Sequence, residues 1–154
     1  MNAFPPTFIA TFAATLSGVL LAFILARLWD LYVERRSASK YLQNIRKELL
    51  ECVSLLEPKE GNLLPTDNWD SLVSSGQLKL LKYEIVTELA GAYSRIKNNN
   101  YEAQICRRAA EDMHRTATAT LLQHWQKLSD ALREREDTLR KDLQSILNRP
   151  WWPK

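Results

Sequence analysis

The chain has 154 residues, 45% hydrophobic and 25% charged, with a net charge of +3, which is the size of one modest domain. Collagen-like and disordered classes are excluded by composition, and a disulfide scaffold by the presence of only two cysteines. With four Gly and six Pro, the chain has long uninterrupted stretches that suit helices and few of the turns an all-β fold needs. The predicted fold class is all-α: a single N-terminal transmembrane helix that continues into a small cytosolic helical bundle. The excess positive charge lies beside the apolar segment instead of forming a nucleic-acid footprint, so no nucleic-acid partner is expected.

No charged side chain precedes Arg27. Thr7 to Ala26 is built from Phe, Ile, Leu, Val, Ala, Thr, Ser and Gly, about the 20 residues a helix needs to cross hydrocarbon. Its large apolar residues, each worth roughly −0.3 to −0.6 kcal/mol in a bilayer, sum to about −3 to −6 kcal/mol and outweigh the small polar ones. Pro5 and Pro6 suit the opening turn. A cleaved signal peptide would need a basic start and a small-x-small cleavage site. This start has no Lys or Arg, and the run ends in the interfacial sequence Arg27-Leu28-Trp29-Asp30, so residues 1–30 read as an uncleaved anchor in the cell membrane. Arg27, Arg35, Arg36, Lys40, Arg46 and Lys47 crowd its C-terminal flank. That bias predicts an outside N-terminus and a cytoplasmic C-terminal domain.

Within the span, Ala10, Ala14, Gly18, Ala22 and Ala26 recur at every fourth residue and draw one smooth ridge, the kind of surface on which another helix docks closely. Thr7, Thr11 and Thr15 form a neighbouring ridge. The ridge itself does not say whether the partner is a second copy or a different protein; the partners expected for the chain as a whole are other subunits of an integral membrane complex, with a homodimer as the alternative.

Residues 31–57 read as a juxtamembrane helix, because Leu42, Ile45, Leu49, Cys52 and Leu56 alternate three and four apart without Gly or Pro. Residues 58–148 read as a cytosolic helical domain. It opens with a loop from Pro58 to Pro65, followed by a short helix capped by Thr66, with Asp67 and Asp70 in its first turn. This helix should bury Trp69, Leu72 and Val73 and stop at Gly76. A further helix is expected from about Tyr83 to Lys97, ended or loosened by Asn98, Asn99 and Asn100, and the pattern resumes from Tyr101 to Met113. The last stretch, about Ala117 to Leu147, carries Leu121, Leu122, Trp125, Leu128, Leu132, Leu139, Leu143 and Ile146. Its densely charged part, Ser129 to Arg149, is the part expected to reach beyond the bundle and need a partner for its apolar stripe. The tail, residues 149–154, contains Trp151 and Trp152 between prolines. Two indoles in water would forgo several kcal/mol. They are expected to dock, with a partner's pocket preferred over the membrane interface or the chain's own bundle.

No phosphate loop, nucleophile elbow or dinucleotide fingerprint occurs, and His114 and His124 are spaced for neither a zinc site nor a shared helix face. No catalytic, cofactor-binding or metal-binding residue is read, and the chain is not expected to be an enzyme. Cys52 and Cys106 lie in apolar helical patterns and read as small buried hydrophobes, with a redox-responsive pair as the alternative.

The stretch Leu64 to Leu78 (LPTDNWDSLVSSGQL), with Leu80-Leu81 and Tyr93-Ser94-Arg95-Ile96-Lys97-Asn98, resembles a segment of uncharacterised prokaryotic membrane proteins, short archaeal and bacterial chains with one N-terminal span and a cytosolic helical region. The resemblance covers roughly residues 40 to 110. It implies that Trp69 is a core anchor and Gly76 a helix stop, and it supplies no catalytic residues. The frequency of such chains in methanogenic archaea implies one host, the sodium-translocating methyltransferase complex. The function expected is a non-catalytic accessory or regulatory small subunit, docking through its span and cytosolic tail. The alternative is a self-associating single-span signalling or scaffold protein.

Overall fold

A computed structural model describes residues 6–57, 61–115 and 118–153. Among these residues every regular element is helical: α1 is Pro6–Leu55, α2 is Asp67–Ser74, α3 is Tyr83–Arg115 and α4 is Ala119–Leu147, with a 3-10 turn at Gln77–Leu80. The chain is all-α, a long apolar N-terminal helix followed by a helical bundle. It divides into two compact units, Met1–Ala38 and Ser39–Lys154.

Over its described residues the first unit is the N-terminal part of α1. The helix opens at Pro6, where a missing N–H has no intrahelical partner to lose. Pro5 lies outside the described residues.

The second unit is the bundle, and it absorbs segments that read as separate in the sequence. The end of α1 and the residue that follows it belong to its core, with Leu42, Ile45, Leu49, Cys52 and then Leu56 all buried. So does the tail, through Trp152. From α3 the core takes Ile85, Leu89, Ala92, Tyr93 and Ile96, and from α4 it takes Leu132, Leu139, Leu143 and Ile146. Each such fully buried aliphatic side chain contributes about 1.5–3 kcal/mol relative to exposure.

The asparagine run does not end α3. Asn99 is buried inside the helix, and Asn100 turns its carboxamide onto the preceding loop. The Leu64 N–H donates to Asn100 Oδ1 at 2.7 Å, and Asn100 Nδ2 donates to the Leu64 carbonyl at 2.8 Å. This two-sided clasp satisfies loop backbone much as a strand neighbour would. Asn62 Nδ2 donates to the Leu55 carbonyl at 3.2 Å and closes the end of α1. Gly61 has φ +65°, and a Cβ there would stand 3.2 Å from Leu132 Cδ2, so both backbone and space call for glycine.

Thr66 occupies the N-cap position of α2 but makes no capping bond. Its hydroxyl donates instead to Asp70 Oδ2 at 2.9 Å, and the cap comes from Glu48 on α1. Trp69 and Leu72 are buried as expected, whereas Val73 is 43% exposed. The i, i+3, i+4 spacing puts all three on one side of the helix, with Val73 at the edge of that side, about 100° round from the fully buried Leu72. The helix ends at Gly76 in the left-handed region, φ +67°.

Helices α3 and α4 form an antiparallel hairpin whose flank carries ion pairs at seven-residue steps. Glu88 pairs with Arg149 at 2.7 Å, Arg95 with Asp142 at 3.3 Å, and Glu102 with Arg135. Such half-exposed pairs contribute about 0–1 kcal/mol each, yet their order fixes register. Along α3 the signs run minus, plus, minus, and opposite them Arg149, two residues past the end of α4, Asp142 and Arg135 run plus, minus, plus, so a one-heptad slip in either direction opposes like charges.

Buried residues end at Ala103 on α3 and begin at Leu132 on α4. This reverses the sequence expectation. The charged stretch from Ser129 to Arg149 lies along the core, and the less charged start of α4 continues past it, with Leu121, Trp125 and Leu128 half-buried and Leu122 43% exposed. The physical reason is that α1, which completes the core, ends at Leu55.

Candidate functional site

Three features single themselves out chemically: the face of α1 in the first unit, the tryptophan tail, and a buried polar cluster. Ala10, Ala14, Gly18, Ala22 and Ala26 all lie on α1 and are all exposed, as is every residue from 10 to 36. A Cβ built on Gly18 meets nothing within 4 Å. Next to this ridge the hydroxyls are turned back on the helix. Thr11 Oγ1 donates to the Thr7 carbonyl at 2.8 Å, Thr15 Oγ1 to Thr11 at 2.9 Å and Ser17 Oγ to Ala13 at 2.8 Å. Each of these three hydroxyls is thereby satisfied within the helix, the condition that hydrocarbon imposes. Among the described residues one helix, containing this segment, is long and apolar enough to cross a membrane by length and composition. Trp29 and Tyr32 follow with ring centroids 5.9 Å apart, ahead of Arg35 and Arg36.

The tail folds onto its own bundle. Trp152 is 6% exposed, and its indole N–H donates to the Ile146 carbonyl at 2.8 Å, closing the end of α4. Trp151 Nε1 donates to Glu88 Oε2 at 3.2 Å, while Arg149 holds the other oxygen. The expectation of a partner-binding pair is thus corrected for Trp152, whose indole is used up by the core. Trp151 stays half-buried at a shallow surface shared with Tyr83 and Pro150. Prolines that stop the helix also let the chain fold back across the end of α3 and α4, which the sequence pattern did not disclose.

Both cysteines are free thiols. Cys52 Sγ donates to the Pro65 carbonyl at 3.5 Å, and burial, reinforced by Glu48 and Glu51, pushes its pKa up to about 12. Burial raises the Cys106 thiol as well. Both shifts suppress the thiolate, the reverse of what a redox sensor needs, and favour the small-hydrophobe reading of the pair.

The buried polar cluster centres on Glu48, which the sequence reading passed over. Its carboxylate accepts the Asn68 N–H at 2.7 Å, Asn68 Nδ2 at 3.0 Å, the Trp69 N–H at 3.4 Å and the Tyr93 hydroxyl at 2.6 Å. The Tyr93 ring stacks on Trp69 at 4.9 Å, nearly parallel, and burial followed by the bond to Glu48 raises the Tyr93 pKa. Glu48 is therefore an N-cap delivered from another helix, meeting the positive end of α2. At 3% and 1% exposure, Glu48 and Tyr93 leave no room for a substrate; the cluster is a clasp joining α1, α2 and α3. A signal existed in the sequence, since position 48 falls three after Ile45 and four before Cys52, on the inward face.

Among the described residues, no group of three or more His, Cys, Asp and Glu side chains is placed to hold a metal ion. His114 and His124 are exposed. On the bundle's outer face a groove of about 520 Å³ runs between α3 and α4, with the buried Asn99 in its lining. Comparisons of the chain with family models, curated proteins and solved structures returned no match.

Proposed function

We propose that this chain is a non-catalytic accessory or regulatory subunit of a larger membrane protein complex, anchored by the first part of α1 and presenting its helical bundle to the complex on the cytoplasmic side. One observation carries the reading. Phe12, Val19, Leu21 and Phe23 are 61%, 64%, 62% and 73% exposed on a helix that buries none of its first 36 residues' described side chains. So large a contiguous apolar surface marks an interaction with membrane or protein. Lipid covers the large side chains, and the ridge through Gly18 accommodates a neighbouring helix at close approach. The basic flank from Arg27 to Lys47 supports a cytoplasmic bundle.

The test is photo-crosslinking in native membranes from side chains placed at Gly18 and, on the opposite face, at Leu20. The proposal expects an adduct with a different integral membrane polypeptide from Gly18 and none from Leu20. An adduct of twice the chain's own mass would favour the self-associating scaffold, and no adduct from Gly18 would refute ridge docking.

A further inference from the structure

The groove between α3 and α4 holds an unexplained polar group. Asn99 is 4% exposed, and neither its side-chain oxygen nor its nitrogen has a hydrogen-bond partner within the chain. Buried carboxamides are almost always paired, and one left alone calls for a missing partner. Asn99 lies four residues after Arg95 on α3, and Thr138 four before Asp142 on α4, so the Arg95–Asp142 pair places the two at one level. Both line the groove, together with the small, exposed Ala131. A core-position asparagine in packed helices characteristically specifies a partner.

The charges say which partner. The Glu88–Arg149, Arg95–Asp142 and Glu102–Arg135 ladder gives α3 and the segment opposite it, α4 and Arg149 just past its end, opposite signs at each level. A rotation of 180° about an axis along the helices preserves those levels and sets α3 of one copy against α4 of the next in the register the hairpin already uses. The three ladder pairs, repeated across the interface, are then all attractive. An axis perpendicular to the helices and centred on the ladder would instead bring Arg95 to Arg95 and Glu88 to Glu102, all like charges. The face is self-complementary in one orientation, as an isologous interface requires. We propose that the outer face of the α3–α4 hairpin binds a second copy of this chain about a two-fold axis parallel to the helices, with the Asn99 groove at its centre.

Light scattering of the detergent-solubilised full chain tests this. The expected polypeptide mass is twice the 17.8 kDa of one chain. Ala131→Trp fills the groove from an exposed position and should yield monomers with unchanged helical content by circular dichroism. Arg95→Asp and Asp142→Arg should each weaken self-association at least about tenfold. Mixing the two variants should restore it as a heterodimer, because all their cross-pairs are again opposite in sign. A monomeric wild type, or a mixture that fails to reassemble, would overturn the proposal. So would a dimer that survives Ala131→Trp and dissociates with Gly18→Leu, which would assign self-association to the membrane helix.

Discussion

Replacing Glu48 with alanine probes the junction on which the bundle depends. The substitution removes the acceptor for two backbone N–H groups at the start of α2, a cap worth about 1 kcal/mol. It also strands the Tyr93 hydroxyl at 1% exposure, a buried donor whose loss of partner costs about 1–3 kcal/mol. Adding the cavity left by the side chain, the expected loss is about 3–5 kcal/mol, a large part of the 5–15 kcal/mol typical of a domain. Tyr93→Phe alone leaves the carboxylate three of its four bonds and should cost about 1–2 kcal/mol. Urea unfolding of the chain in mild detergent, followed by near-ultraviolet circular dichroism of the stacked Trp69 and Tyr93, measures both variants and the double variant. The two effects should be non-additive by about 0.5–3 kcal/mol. A loss below about 1 kcal/mol for Glu48→Ala, or strict additivity with Tyr93→Phe, would refute the clasp.

Three other outcomes follow from the same packing. Gly61→Ala should destabilise the bundle by about 1–3 kcal/mol in denaturant titration, since its φ of +65° and the 3.2 Å approach of Leu132 both resist a methyl group. Trp152→Ala should cost about 3–5 kcal/mol and lower the thermal midpoint, because the indole is a core element; an unchanged midpoint would return the tail to a partner-binding role. Cys52 should resist aromatic disulfide reagents at pH 8 until the bundle unfolds. Its thiol is held near 12 in the fold against an ordinary 9.0, so the unfolded chain loses its proton first. The associated stability is complete below about pH 9 and declines as pH rises toward 12, at up to about 1.4 kcal/mol per unit. Cys52→Ala should flatten that alkaline decline in a pH series of unfolding curves.

Periodicity disclosed the elements whose positions depend on local pattern. The seam from Leu42 to Leu56, the stop at Gly76 and the span of apolar residues after Pro6 all stand where spacing puts them. Long-range substitutions of one group for another were not legible. Thr66 has the right chemistry and position to cap α2, yet a carboxylate from α1 displaced it. The asparagine run looks like a break, but Asn100 is used from within a helix to bind a loop. The charged half of α4 resembles a solvated extension because it makes ion pairs across to α3, seven residues at a time, and to Glu57 after α1, and that pairing exists only in three dimensions. The ridge on α1 was fully legible, since a helix alone determines which residues share its face.

Native mass spectrometry of the assembly extracted in mild detergent bears most directly on the role assigned to this chain. The expected result is a discrete complex in which the chain is present at integral stoichiometry with different integral membrane polypeptides, and from which Gly18→Leu releases it. Recovery of the chain only as a monomer, or only with further copies of itself, would contradict that role.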